Sequence, residues 1–339
     1  MKRNVDKIIK LLAFFIVAGV LSNPLLAWAE HPTADEAREW LGKMSSAIKN
    51  LDYEGTFVYV HGSTLEALSI VHSRTAVGES ERLFSLVGAA REILREDDLL
   101  TCILPDNEVV VVEKTRPRKY LPPGLLELNQ RLSEYYDFRV IGSDRMTGRP
   151  ATVIGVIPLD PYRYGYRLWL DNETALLLKS DMVNDEGKAL EQLMFTSLKV
   201  MDRVPEEHLK PVSLDDGFKW YRGEGMTDEH MATHIAGWKV KHLPGGFRMI
   251  ANSEHNLAMG RQPVEHLVYT DGLSSVSVFI EKPGAKTDEM KGVSYMGAVN
   301  AYGTIVDGYQ VTVVGEVPEA AVMMIGDSVY YTDTRQKAP

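Results

Sequence analysis

A single cysteine, Cys102, stands in a chain of 339 residues. One thiol closes no intramolecular disulfide and supports no cysteine-based metal site, so the fold has to rest on its apolar core. In an oxidising compartment a buried, inert thiol is expected. Long hydrophobic runs are missing too. The run from Leu11 to Leu21 has 11 residues, against about 20 needed to cross a bilayer. Missing as well are a G-x-S-x-G elbow, an H-E-x-x-H pair, a P-loop and a G-x-G-x-x-G turn. Gly272-Leu273-Ser274-Ser275 lacks the closing glycine of a nucleophile elbow and sits at a hairpin. His230 and His234 are spaced like zinc ligands, but Met231 stands where a zinc protease has its glutamate, and no third ligand is evident. His61, His72 and His266 fall in or beside strands and read as structural. No catalytic residue, metal site or cofactor is expected, and the chain does not read as an enzyme.

Basic residues are in the minority, 37 against 47 acidic, for a net charge of −10. Four of the basic ones, Lys2, Arg3, Lys7 and Lys10, precede the short apolar run, and Ala27-Trp28-Ala29 follows it. This is the pattern of a secretory leader over residues 1–29 with an A-x-A cleavage site. No cysteine lies near that site, so a lipid anchor is not expected, and the product should be soluble. The leader carries four basic residues and one acid, Asp6; its removal takes the charge from −10 to −13. Nucleic acid is a poor partner for such a chain, whereas a basic protein segment is electrostatically welcome.

The most informative stretch is Tyr162 to Val200. Tyr166, Leu168 and Leu170 alternate with Arg167, Trp169 and Asp171, the two-residue period of a strand. Asp171-Asn172-Glu173-Thr174 and Asn184-Asp185-Glu186-Gly187 turn the chain twice, with Gly187 free to take positive φ. Trp169 on the other face, and Leu176, Leu177 and Leu178 in succession, imply a sheet covered on both sides. A curled sheet around an apolar interior would do that.

Upstream, Thr33 and Glu36 form a capping box for a helix whose Ala37, Trp40, Leu41, Met44, Ile48 and Leu51 share a face. Strands are expected at 53–60, 65–72, 82–87, 90–95, 99–104 and 108–113, then at 138–141 and 151–157. Between them lie the basic stretch around Arg116, Arg118 and Lys119 and a helical spacing from Leu125 to Tyr135. About eleven strands and two helices precede Val200. Prolines, glycines and acids then mark a linker, followed by short strands, the hairpin signal Asp271-Gly272 and a terminal helix opened by Pro318. The expected division is a large domain over 30–203, a linker over 204–228, a smaller α+β domain over 229–333 and a tail over 334–339. Strand alternation alone assigns Phe57, Tyr59, Leu168, Leu170, Leu193 and Phe195 to the lining of an interior cavity, the opposite face being nearly as good a choice. A filled core is the alternative to a cavity. Arg116, Arg118 and Lys119 are candidate contacts for an anionic headgroup or a partner, or else a solvated loop.

The runs LDYEGTFVYV (51–60), ERLFSL and REILRE (81–96), RYGYRLWLD (163–171), LLLKS (176–180), LEQLMFT (190–196), VYTDGLSSVSVFIE (268–281) and GAVNAYG with VTVVGEVP (297–318) resemble the RseB/MucB family over the whole expected mature chain. The resemblance implies a mainly β, α+β protein. Its large N-terminal part would be an unclosed antiparallel β-barrel with covering helices, like the lipoprotein carriers LolA and LolB, and its small C-terminal part an antiparallel sheet with a helix. It implies a periplasmic regulator that binds the periplasmic domain of a membrane-spanning anti-sigma factor of the RseA/MucA type. By restraining that factor's proteolysis it would keep an envelope-stress sigma factor of the RpoE/AlgU type sequestered. The barrel is expected to sense lipid or lipopolysaccharide, and the two ligands to compete through the domain arrangement. The alternative is a periplasmic carrier or chaperone of lipids and lipoproteins. Assembly as a homo-oligomer is left open.

Overall fold

The computed structural model describes residues 34–74, 78–96, 99–114, 130–211, 217–222, 237–255, 263–283 and 290–332. Helix α1, Ala34–Asn50, begins with Asp35 and Glu36 and ends with Lys49, each favourable to its end of the helix dipole. Its Ala37, Leu41, Met44, Ala47 and Ile48 recur every three or four residues and are buried together. Thr33, the expected cap, lies outside the described residues.

Eleven strands follow up to Met201: β1 (Asp52–His61), β2 (Thr64–Arg74), β3 (Glu79–Ser85), β4 (Glu92–Glu96), β5 (Leu99–Leu104), β6 (Val109–Lys114), β7 (Tyr136–Met146), β8 (Arg149–Pro158), β9 (Gly165–Asp171), β10 (Leu177–Val183) and β11 (Ala189–Met201). The first six and the last five are antiparallel meanders, joined where β1 pairs with β11. A twelfth strand, β12 (Lys219–Arg222), lies beside β6. The order β12-β6-β5-β4-β3-β2-β1-β11-β10-β9-β8-β7 ends in two separate edges, so the sheet is unclosed. Helix α1 covers the β7 to β11 half of one face, where its apolar stripe meets Tyr136, Phe138, Ile154, Val156, Leu168 and Leu170.

Three boundaries differ from expectation for local reasons. Strand β3 stops at Ser85, whose hydroxyl accepts from Arg91 N and donates to Ala89 O, closing a turn at Gly88 instead of extending the ladder to Val87. Strand β7 runs through the polar Gly142-Ser143-Asp144, because an edge strand tolerates polar residues; it turns only at Thr147-Gly148, both at positive φ as a two-residue hairpin requires. The expected linker contains a short helix α2 (Glu206–Leu209) as well as β12, elements too short to show a period. Of the helical spacing from Leu125 to Tyr135, residues up to 129 lie outside the described residues, and Gln130–Glu134 is a 3-10 turn with Leu132 buried.

The C-terminal part begins with β13 (Trp238–Val240), which pairs with β20 (Val329–Tyr331). A six-stranded antiparallel sheet is ordered β14-β15-β16-β19-β18-β17, from β14 (Arg248–His255), β15 (Val264–Thr270), β16 (Ser275–Glu281), β17 (Gly292–Met296), β18 (Val299–Val306) and β19 (Tyr309–Gly315). The run GAVNAYG, residues 297–303, is a turn followed by the start of β18. A side chain at Gly303 would collide with the Met290 backbone, which explains a glycine inside β18. Helix α3 (Glu319–Gly326) packs on β18 and β19 with Ala321, Val322 and Ile325 inward. Pro318 is its N-cap, one position earlier than expected, with extended ψ.

Candidate functional site

The six residues assigned by alternation are all buried. Tyr59 pairs with Leu193, Leu193 with Ser180, and Ser180 with Leu168, so these strands present them on one face. Phe57 opposes Phe195 with ring centroids 5.4 Å apart. Gly55 is what admits the Phe195 ring, since a Cβ there would lie 2.9 Å from it. Two packing environments divide the set: Leu168 and Leu170 lie in the cluster under α1, whereas Phe57, Tyr59, Leu193 and Phe195 pack with Leu68 and Leu83. Trp169, on the opposite face, is 7% exposed; Asp144 accepts its indole N–H at 2.9 Å and the Lys179 ammonium sits 4.0 Å above its ring. Both faces are therefore covered there. Arg116, Arg118 and Lys119 lie outside the described residues, as do His230 and His234.

The chain leaving β11 is tied to the start of β1 by Asp52, whose carboxylate accepts from Val204 N and Arg74 N and from the Ser73 hydroxyl, at 2.8 to 2.9 Å. Burial pushes the Asp52 carboxyl up, but those hydrogen bonds outweigh it and hold the group below its usual value. A depressed carboxylate stabilises the fold above the unfolded pKa of about 3.9 and loses that contribution as pH falls through the folded value. Protection of the Val204 amide, taken relative to its intrinsic exchange rate, is expected to fall below about pH 4, and in Asp52→Asn already at neutral pH. Equal Val204 protection in both chains at pH 7 would contradict the tie.

A buried polar arrangement joins the two sheets, and the sequence announces neither of its central residues in that role. Arg163 precedes β9; Asp271 opens the loop between β15 and β16. Nη1 of Arg163 lies 2.8 Å from Asp271 Oδ2, with both side chains at 0% exposure. The same guanidinium donates to Asp160 at 3.0 Å and to Gly245 O at 2.6 Å. The rings of Tyr135, Tyr136 and Phe247 surround it at 5.0 to 5.4 Å, within cation–π reach. Asp271 is equally engaged. It accepts from the Tyr136 hydroxyl at 2.9 Å and, through Oδ1, from Leu273 N and Ser274 N. Burial, and next the Asp271 charge, push the Tyr136 phenol well above its ordinary value, so it stays a donor. A second tie runs from Asn300 Nδ2 to the Tyr164 hydroxyl at 3.0 Å and to Val317 O at 2.8 Å. Leu273 and Ala298 of the C-terminal part pack into the apolar cluster under α1. Asp271-Gly272 was legible as a hairpin; the one signal for its second role is a carboxylate in a loop otherwise rich in apolar and small residues.

Tyr135 fixes the approach. Its ring lies against Gly245 and Gly246; Gly246 has φ +82°, and a Cβ on it would collide with the edge of the ring. Gly246→Ala is expected to cost about 1–3 kcal/mol from backbone strain alone and to loosen this contact, measured as a lower urea midpoint. An unchanged midpoint would contradict both the strain and the contact.

Beside the junction runs an open groove of about 1080 Å³, lined among others by Ile141, Ile157, Leu159, Tyr164, Leu190 and Pro318. Leu159 is 60% exposed, and Arg167, Asp185 and Glu319 lie along the same lining. None of the six residues assigned by alternation lines it.

Residues 36–213 match the MucB/RseB N-terminal domain model and residues 232–330 the MucB/RseB C-terminal domain model. The chain belongs to the MucB/RseB family. Over 317 residues it is 31% identical to the sigma factor AlgU regulatory protein MucB of Pseudomonas aeruginosa, covering 90% of this chain and 94% of that one. A solved complex of Pseudomonas aeruginosa MucA and MucB superposes with a TM-score of 0.70 at 29% identity, covering 88% of this chain and 100% of that chain. A crystal structure of MucB alone gives 0.57 at the same identity, over 88% of this chain and 98% of that one.

Proposed function

We propose that this chain is a periplasmic regulator that binds the periplasmic segment of a membrane-spanning anti-sigma factor of the MucA/RseA type. Binding shields that segment from regulated proteolysis and so keeps an envelope-stress sigma factor sequestered. The observation that carries this reading is the superposition on MucB solved with MucA, together with family models that span both sheets. The buried Arg163–Asp271 tie supports it physically, because two sheets held in one arrangement present one binding surface and lose it when they separate.

Lipid or lipopolysaccharide is the opposing ligand in this proposal. It enters the apolar face of the N-terminal sheet near Phe57, Tyr59, Leu193 and Phe195, its anionic headgroup meets Arg116, Arg118 and Lys119, and it lowers affinity for the anti-sigma segment by favouring a different domain arrangement. The test is proteolysis of the purified anti-sigma factor by the protease that makes its first regulated cut. Stoichiometric chain 30–339 should slow the first cleavage roughly tenfold or more, as expected if segment bound in excess of 90% is uncleavable. Cleavage at an unchanged rate in the presence of saturating chain would rule out the protective role.

A further inference from the structure

Strand β12 is the least anchored element of the large sheet. All four of its residues are exposed, Trp220 at 53% and Tyr221 at 56%, so no side chain ties it to a core. It pairs with β6 in parallel, whereas every other strand pair among the described residues is antiparallel. A parallel pair of four is held by main-chain bonds of the weaker geometry. The strand it covers is different: β6 reads Val109-Val110-Val111-Val112-Glu113-Lys114, and Val110 is wholly buried. Uncovered, such an edge is a template for another chain.

The chain itself shows what the edge accepts. Lys219, Trp220, Tyr221 and Arg222 stand opposite Val109, Val110, Val111 and Val112, and Lys219 N donates to Glu108 O at 2.7 Å. Two aromatic side chains flanked by two basic ones thus lie along an extended segment, on a protein whose net charge is −10. We propose that the β6 edge is a strand-docking site, occupied here by the chain's own Lys219–Arg222 and vacated for an extended, basic and aromatic segment of the protein partner. The identity of that partner rests on the regulatory reading above; the docking edge does not. Main-chain pairing supplies the affinity, and the basic and aromatic side chains supply the selection. Because the attraction is partly between a basic segment and a chain of net negative charge, binding at this edge weakens with salt.

Two full-chain variants of residues 30–339 test this. Tyr221→Pro removes the β12 ladder. In the other, Val112→Cys with Arg222→Cys on a Cys102→Ser background locks the strand, since the two positions are register partners and neighbouring strands lie ~4.8 Å apart, within disulfide reach. Far-UV circular dichroism checks that both fold. The first probe is a labelled peptide of residues 217–222, followed by chemical shift. It should bind Tyr221→Pro saturably and the oxidised locked chain not at all, with reduction restoring binding. Equal response of the two chains overturns the docking edge.

The second probe is the periplasmic segment of the anti-sigma factor. Its affinity should be roughly tenfold or more lower for the locked chain than for Tyr221→Pro, a difference of about 1.4 kcal/mol. Peptide binding together with equal segment affinities overturns the proposed occupant. If the segment binds no form of the chain, the regulatory reading and this occupant fall together, and the peptide alone decides whether the edge docks a strand.

Discussion

Replacing Arg163 by alanine is expected to destabilise the chain by about 3–5 kcal/mol and to lower affinity for the anti-sigma segment tenfold or more. Removing one partner of a buried ion pair leaves the other charge without compensation, which costs far more than the pair itself contributes. Here the abandoned group is Asp271, at 0% exposure, and a cavity opens between Tyr135, Tyr136 and Phe247. Two apolar clusters lie on either side of the junction, so denaturation should split into two transitions as the C-terminal cluster around Val278, Val313 and Ile325 uncouples from the one under α1. Arg163→Met with Asp271→Asn separates charge from position. The amide oxygen still accepts from Leu273 N and Ser274 N, the buried charge is gone, and stability should largely return. Affinity should remain low, because the guanidinium bridge to Asp160 and Gly245 is lost. A single unshifted transition for Arg163→Ala by urea denaturation would contradict the clasp.

Leu168→Glu is expected to prevent the N-terminal sheet from folding. Leu168 is 0% exposed and lies in the cluster shared with Leu41, Met44 and Ile154. A carboxylate placed there has no cation to pair with inside that cluster and would be driven to its neutral form at several kcal/mol. Leu168→Ala should fold and lose about 2–5 kcal/mol. Any loss of lipid binding by the glutamate variant therefore reports unfolding, and the lining is better tested at Phe57 or Leu193, outside the α1 cluster. Native near-UV circular dichroism for Leu168→Glu would show that α1 does not seal this face.

Much of this organisation is visible in the chain before any coordinates. The period of two in Tyr166, Leu168 and Leu170 places β9, and the same alternation puts Tyr59, Leu168 and Leu193 on one face, because alternation is a property of the strand itself. Gly187 takes φ +74° in the turn assigned to it. The α1 stripe likewise predicts its own burial. What the sequence does not disclose is contact between distant segments. Nothing local to Arg163 announces Asp271, 108 residues away, since an arginine between proline and tyrosines reads as surface loop until the second sheet closes on it. Strand β12 is hidden for another reason: four residues give no usable period, and its place follows only from the vacant edge of β6. In β18 the glycine at 303 has no local reason, and the structure explains it by the approach of Met290.

The most direct test of the regulatory account is calorimetric titration of residues 30–339 with the purified periplasmic segment of the cognate anti-sigma factor, with and without lipopolysaccharide fragments. The account predicts saturable one-to-one binding whose affinity falls when the fragments are present. No binding in either condition would contradict it.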